Sequence, residues 1–128
     1  SDEETEFLWG EIAPEEAAHK LHDMGVRIAF ITLGPKGCYF SGNGFTAYAD
    51  TPSGIRPVDT TGAGDIFGGS ALSQLLKTGK ELEELDGDDL REAACFACFA
   101  ASLSTQSLGG ISSFVPEEEV RKAMVSCR

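Results

Sequence analysis

Residues 58–67 read VDTTGAGDIF, which gathers Asp59, Thr60, Thr61, the glycines Gly62 and Gly64 around Ala63, and a second carboxylate, Asp65, into one short stretch. Glycines at this density let the backbone approach a ligand closely. Where such a stretch opens a helix, its free amides point along the helix axis and attract negative charge. Gly62, Ala63 and Gly64 are therefore a candidate anion hole, and Asp65, in the first helical turn beside it, can accept a proton from an attacking hydroxyl. Phosphoryl transfer needs both groups side by side: preorganised donors for the charge on the transferred group, and a carboxylate to orient the nucleophile. The plainer reading is a helix start, with Asp59, Thr60 or Thr61 as cap and Asp65 at the positive end. Capping needs one such residue. It requires neither Gly62 and Gly64 nor Gly68 and Gly69 within the helix, where each costs about 1 kcal/mol relative to Ala. The glycines imply close approach by a ligand or by another segment.

The stretch matches neither of the common phosphate loops. A dinucleotide fingerprint would place its third glycine at Phe67, and no Gly-Lys-Ser/Thr follows at P-loop spacing. Two other glycine-rich places stand where a ligand could sit. TLGPKG, residues 32–37, directly follows an apolar run, at the carboxyl end of a strand where open α/β sheets bind ligands, and it reads equally well as a tight turn. SLGGISS ends a buried helix at Gly109 and Gly110, for which a C-cap is the simple account.

The elements that position these loops follow from hydrophobic pattern and helix punctuation. A short helix covers residues 2–9, and a second covers APEEAAHKLHDMG, with Pro14 and two glutamates at its start, Gly25 at its stop and Ala17, Ala18, Leu21 and Met24 as its buried stripe. RIAFITL is a near-continuous apolar run of strand length, expected to be covered on both faces and parallel to its neighbours. CYFSGNGFTAYA reads as a hairpin at a sheet edge. A strand end at Pro57–Val58 leads into the glycine stretch and a helix through Lys77, with Ile66, Phe67, Ala71, Leu72, Leu75 and Leu76 on one face. KELEELDGDD is a solvated acidic connection in which Asp88 or Asp89 caps the next helix, Glu92 completing a capping box if Asp89 is the cap. That helix, Leu90 to about Ser107, is apolar on most sides. A last one, Pro116 to Cys127, carries three glutamates first and Arg121 and Lys122 later, in keeping with the helix dipole.

With 128 residues, 41% hydrophobic and 24% charged, the chain has the composition of one globular domain. Its net charge of −11 argues against nucleic acid and anionic membrane surfaces as partners, so any phosphate must be held locally by amides, a few cations or a metal. No apolar run reaches the roughly 18 residues of a membrane span, and a cytoplasmic location is expected. Cys38, Cys95, Cys98 and Cys127 do not form a disulfide framework, and Cys95 and Cys98 lie in a helical apolar run without further ligands, which suits small core residues better than metal. His19 and His22, three apart on a helix, lack a third ligand and read as a solvated face.

DTTGAGDIFGG closely resembles the C-terminal signature of the ribokinase and fructokinase family of carbohydrate kinases, the phosphofructokinase B family. In family order, ITLGPKGCYF is similar to its nucleotide-binding strand and loop, AASLSTQSLGGISSFVP to its late helix and following loop, and SDEETEFLWG to its N-x-x-E region, with Ser1 in place of the Asn and Glu4 at the Glu. The resemblance implies the C-terminal portion of a ribokinase-like three-layer α/β/α sandwich, mostly parallel with an edge hairpin, forming one nucleotide-binding unit over residues 1–128 without the sugar-binding part and lid. It implies Asp65 as catalytic base, the amides of Gly62, Ala63 and Gly64 as anion hole, and Thr32, Leu33, Gly34, Lys36 and Gly37 along the adenosine of ATP. Cys98 stands where many members place a nucleotide-facing Asn. Glu4 would order Mg2+ through water, and Asp59, Thr61, Ser104, Ser107, Gly109 and Ser113 fall near a monovalent cation such as K+. The expected activity is ATP-dependent phosphorylation of a small sugar, fructokinase-like, weak in a fragment, with room for a homodimer of the full-length protein. The alternative is a non-catalytic, kinase-like regulatory or scaffolding protein that retains nucleotide binding.

Overall fold

The computed structural model describes residues 1–106, 108 and 115–126. Helix α1 (Asp2–Trp9) opens on a capping box, with the Ser1 hydroxyl accepting from the Glu4 amide at 3.2 Å and donating to the Glu4 carboxylate at 2.9 Å. Helix α2 (Pro14–Asp23) begins with Pro14 and buries Ala17 and Ala18. Met24, expected in the same stripe, is 73% exposed, because the helix ends at Asp23 and Met24 is its C-cap.

Strands β1 (Ile28–Thr32), β2 (Cys38–Gly42) and β3 (Phe45–Ala49) form a sheet in the order β1-β2-β3. Both pairings are antiparallel, which corrects the expectation that β1 runs parallel to its neighbours and that the sheet is mostly parallel over these residues. The apolar run of β1 reports coverage on two faces, and that coverage is present: Ala29 and Ile31 pack with Ala17, Ala18 and Tyr39 on the α2 side, Ile28 and Phe30 on the other. Direction is set by the connection. Leu33 to Gly37 is far too short for a parallel crossover, which takes a dozen residues or more. The β2–β3 hairpin forms as expected, through Asn43 and Gly44, both at positive φ (51° and 84°), the geometry for which Asn-Gly turns are selected. Asn43 Nδ2 donates to the carbonyls of Leu82 and Leu85 at 2.6 and 3.0 Å, tying the hairpin tip to the connection between the two helices of the following layer.

That layer is α3 (Ala63–Lys77) and α4 (Gly87–Ser104), packed on each other and, through α4, on β2 and β3. Cys38, Phe40, Ala49, Phe67, Ala71, Leu85, Leu90, Ala94, Ala97 and Cys98 make its core. With α2 on the opposite face, the sheet is covered on both sides. No strand forms at Pro57–Val58; the amides of Val58 and Asp59 instead donate to the Thr105 carbonyl at 2.7 and 2.9 Å. Of the expected apolar face of α3, Phe67 and Ala71 are buried while Leu72 and Leu76 are 58% and 71% exposed.

The acidic connection before α4 does more than face solvent. Leu85 is buried there, and α4 begins three residues earlier than expected, capped by Asp86, whose carboxylate accepts from the Asp89 amide at 2.9 Å while Asp89 accepts from the Asp86 amide at 3.0 Å. The cap is therefore Asp86, not Asp88 or Asp89, because the reciprocal partner three residues on is a short Asp. We expect Asp86→Ala to lower stability by about 0.5–2 kcal/mol, measured as a shift in the denaturant midpoint. Lys80 donates to Asp89 at 2.7 Å and holds that carboxyl below its ordinary 3.8. A carboxyl lowered in the folded state stabilises the fold above its unfolded pKa and loses that contribution as pH falls through the lowered value. Stability is thus expected to decline on acidification below pH 3.8, with a shallower slope in Asp89→Asn, followed by melts across pH.

Helix α5 (Glu117–Ser126) buries Val120 and Met124 against Phe96 and Ala100. Pro116 precedes it, and Cys127, expected as its last residue, lies outside the described residues. Arg121 and Lys122 do not sit in its last turn. Arg121 instead bonds Glu92 of α4 and Gln74 of α3, with its guanidinium 4.8 Å from the Phe96 ring centre. Among the described residues, no helix is long and apolar enough to cross a membrane.

Candidate active site

Residues 58–62 form a turn strung between two helices, and Ala63 to Asp65 open α3. The Thr105 carbonyl, at the end of α4, holds the first residues of the turn through the Val58 and Asp59 amides. Asp59 Oδ1 then accepts from the Thr61 amide at 2.9 Å, an Asx-type turn. Gly62 follows at φ 78°, in the left-handed region, and is the N-cap of α3 without any side-chain cap. Thr60 and Thr61 therefore do not cap the helix. The backbone reverses at Gly62, where a residue with a Cβ is strained.

This geometry sorts the amides. Ala63 N–H donates to the Thr60 carbonyl at 3.2 Å, and the first helical bond runs from Ile66 N–H to the Gly62 carbonyl at 3.0 Å. The amides of Gly64 and Asp65 precede that bond, where helix geometry supplies no acceptor. Asp65 is exposed in the first turn. A Cβ built on Gly64, Gly68 or Gly69 meets nothing within 4 Å, so among the described residues no other segment accounts for these glycines. Exposed amides at a helix start are donors of the kind that suit an anion.

The loop at 32–37 is a tight turn and sits at the same end of the sheet. Gly34–Lys36 form one turn of 3-10 helix, closed by Leu33 N–H to the Gly37 carbonyl at 2.8 Å. Gly37 is buried at φ 94°, and a Cβ on it would lie 1.9 Å from the Ala49 carbonyl oxygen; no other residue fits. Ala49 pairs with Cys38 and accepts from the Cys98 thiol at 3.8 Å. Cys98 is 2% exposed, and its thiol is pushed well above its ordinary range, first by a hydrogen bond with the free thiol of Cys38 and then by burial. It supports the sheet behind the loop and does not line an open surface. From Cys98 to Thr105, where the 58–62 turn is anchored, is about 10 Å along the helix. The rings of Phe30 and Phe67, 6.1 Å apart, join β1 just before this loop to α3 just after Asp65.

Of the other candidates, Ser104 is buried and donates to the Ala101 carbonyl at 2.6 Å. Ser107, Gly109 and Ser113 lie outside the described residues. Glu4 stands in the first turn of α1, held by Ser1, and lines a cleft of about 510 Å3 with Phe7, Trp9, Leu21 and Ile31, the last one residue before Thr32. Among the described residues, no three acidic, His or Cys side chains converge as a metal site. His22 is engaged at both ring nitrogens, with the Val26 carbonyl at 2.6 Å and the Ser41 hydroxyl at 2.8 Å, and His19 faces Asp23 at 3.6 Å. Sequence reasoning missed the Thr105 carbonyl and Thr51, whose hydroxyl donates to the Pro35 carbonyl at 2.6 Å; neither contact has a periodic or compositional signal.

Comparison with known proteins places the chain in a family. The model of the pfkB family carbohydrate kinases matches residues 1–118. Fructokinase-1 of Oryza sativa subsp. japonica is 32% identical over 127 residues, 98% of this chain and 38% of that protein. The crystal structure of ribokinase from Thermotoga maritima superposes with a TM-score of 0.75 at 31% identity, over 97% of this chain and 39% of that one. Fructokinase from Vibrio cholerae, bound to fructose, ADP and calcium, gives 0.80 at 25% identity, over 94% and 38%. The chain thus spans 38% to 39% of the length of these relatives. From the turn at Gly62 to the match over nearly its whole length, this chain belongs to the pfkB family of carbohydrate kinases.

Proposed function

We propose that this chain is the nucleotide-binding, C-terminal portion of a sugar kinase that transfers the terminal phosphoryl group of ATP to a sugar hydroxyl, with fructose the first candidate. The observation that carries the reading is the turn itself: exposed Asp65 stands one residue beyond Gly64, their two amides precede the first helical bond, and the side-chain side of Gly64 is open. Magnesium-ATP, when bound, supplies the phosphoryl group and the divalent charge beside it. The backbone of Thr32–Gly37 holds the nucleotide, and Glu4 orders the metal through water. The amides of Gly62 and Gly64 donate toward the charge on the transferred group, the Ala63 amide being already part of the turn. Asp65 accepts the proton of the attacking hydroxyl. Asp59, Thr61 and Ser104, with Ser107, Gly109 and Ser113, are the candidate environment of a monovalent cation beside that turn. The fructose and ADP bound to the Vibrio cholerae relative support the substrate class.

The same reading covers the rest of the molecule. Phe7 and Leu8 on α1 and Leu72 and Leu76 on α3 are exposed on the two layers that cover β1, an edge strand among the described residues, and the relatives carry more than half their length beyond the matched part. We assign the sugar-binding portion to that remainder, and expect a cytoplasmic protein whose full-length form can be a homodimer.

The test is the full-length protein assayed with Mg-ATP against hexoses, pentoses and nucleosides, with product identified by mass spectrometry. ATP-dependent phosphorylation of fructose or a close relative is expected. No phosphorylated product from any of them, with ADP binding retained, would favour the non-catalytic kinase-like protein instead.

A further inference from the structure

The nucleotide loop of this reading has its own hydrogen bonds and, among the described residues, an external one. Inside it, the amides of Leu33, Lys36 and Gly37 donate to the carbonyls of Gly37, Leu33 and Gly34 at 2.8, 3.2 and 3.1 Å. The Pro35 carbonyl, at the crown, is bonded from outside, by the Thr51 hydroxyl at 2.6 Å. Two residues earlier, the Ala49 carbonyl lies against Gly37. The short exit from β3, Ala49 to Thr51, therefore touches the loop at its crown and at its base. That exit is itself fixed: Ala49 by its pairing with Cys38 and by the Cys98 thiol, and the far side of Thr51 by Pro52, which is buried and restricts the backbone before it.

We propose that Thr51 is a positioning residue for the nucleotide: its hydroxyl holds the Pro35 carbonyl so that the backbone of Gly34–Gly37 is already in its binding shape before ligand arrives. This rests on the reading that the loop holds ATP. A loop ordered in advance spares the ligand the entropy of ordering it, so the effect falls on affinity. Thr51 lies outside the 58–65 stretch, so the chemical step is untouched. Losing one neutral hydrogen bond is expected to weaken ADP binding and raise the KM for ATP about five-fold, with kcat and the KM for sugar within about two-fold of wild type.

The experiment uses the full-length protein. ADP affinity is measured by calorimetry and steady-state constants are determined for Thr51→Val, Thr51→Ala and Thr51→Ser; Ala serves if Val does not fold, and Ser keeps the hydroxyl. In parallel, an azido-ATP analogue is photolysed on the wild type and the labelled peptide mapped. Label within residues 32–37, a five-fold loss in Val or Ala and recovery in Ser support the proposal. Label at the loop with unchanged ADP affinity in Val and Ala overturns the role of Thr51 and leaves the loop as the nucleotide site. A fall in kcat that matches or exceeds the rise in KM, or a loss that Ser shares, makes Thr51 merely structural and also overturns it. Label elsewhere shows that the loop reading itself has failed, and the proposal fails with it.

Discussion

If Asp65 is the general base proposed above, Asp65→Asn in the full-length protein is expected to lower kcat by about 10²–10⁴-fold, the range for loss of a positioned general base, with ADP affinity within about two-fold of wild type. The size of the effect follows from what the substitution spares. Asp65 is exposed, and among the described residues its carboxylate has no hydrogen-bond partner, so replacing it strands nothing in the core. Asn has the same shape, and the cap of α3 is made by the backbone at Gly62 without any side chain, so the helix still starts where it did. The amides of Gly62 and Gly64 remain. On the proposed mechanism, what disappears is the acceptor for the hydroxyl proton, and only the step that needs it should slow. Steady-state kinetics with ATP and the preferred sugar, alongside ADP calorimetry, separates this from a binding defect. An Asn variant with full activity would remove Asp65 from the mechanism and leave the turn as an anion site alone. A variant that loses ADP affinity as well would mean that the carboxylate shapes the turn, contrary to its exposed and unbonded position.

The difference between what the residues announce and what only the fold reveals is one of range. The β2–β3 hairpin was legible because Asn43 and Gly44 carry the whole instruction in two residues, and α1 and α2 because caps, Pro14 and the apolar spacing are local. The sense of β1 was not legible in its own apolar run, which reports burial on two faces and says nothing of direction; the shortness of the loop to Gly37 carried that information. At the start of α3, residue types favoured Thr60 or Thr61 as cap, yet the chain uses the left-handed conformation that Gly62 alone permits cheaply. The same glycine signature made the turn recognisable as a candidate site. Arg121 illustrates a competition: the helix dipole offers a gain of about 0.3–1 kcal/mol at an exposed helix end, while Glu92 and the face of Phe96 on α4 and Gln74 on α3 offer contacts to two elements at once. Thr51 and the Thr105 carbonyl support the two loops across gaps in sequence, and no pattern marks such pairings before the sheet and α4 bring them together.

Phe40→Ala is expected to cost about 3–5 kcal/mol, the range for truncating a buried aromatic side chain, read as a fall in the denaturant midpoint. Phe40 is 1% exposed on the middle strand, flanked by Phe30 on β1 and Ala47 on β3. Its ring meets that of Phe30 at 6.4 Å, and the Arg91 guanidinium of α4 lies 5.8 Å from its centre. One side chain therefore joins two strands and a helix. Two features pull the cost in opposite directions. Phe40 borders a cleft of about 470 Å3 with Phe45, Ala47 and Arg91, so water can enter part of the void and soften the cavity contribution. Against that, the aromatic pair and the stacked cation each add to the loss. Phe40→Leu, which keeps most of the volume, should cost less than half as much. The core also reaches the site: Cys38, two residues away on the same face of β2, pairs with the Ala49 that backs Gly37. Loosening β2 from α4 should therefore reduce nucleotide affinity along with stability, while kcat per folded molecule is unchanged. A Phe40→Ala protein with wild-type stability would mean that α4 does not seat on this sheet, and a wild-type ADP affinity despite lowered stability would show that the loop at Gly37 is held independently of the core beneath it.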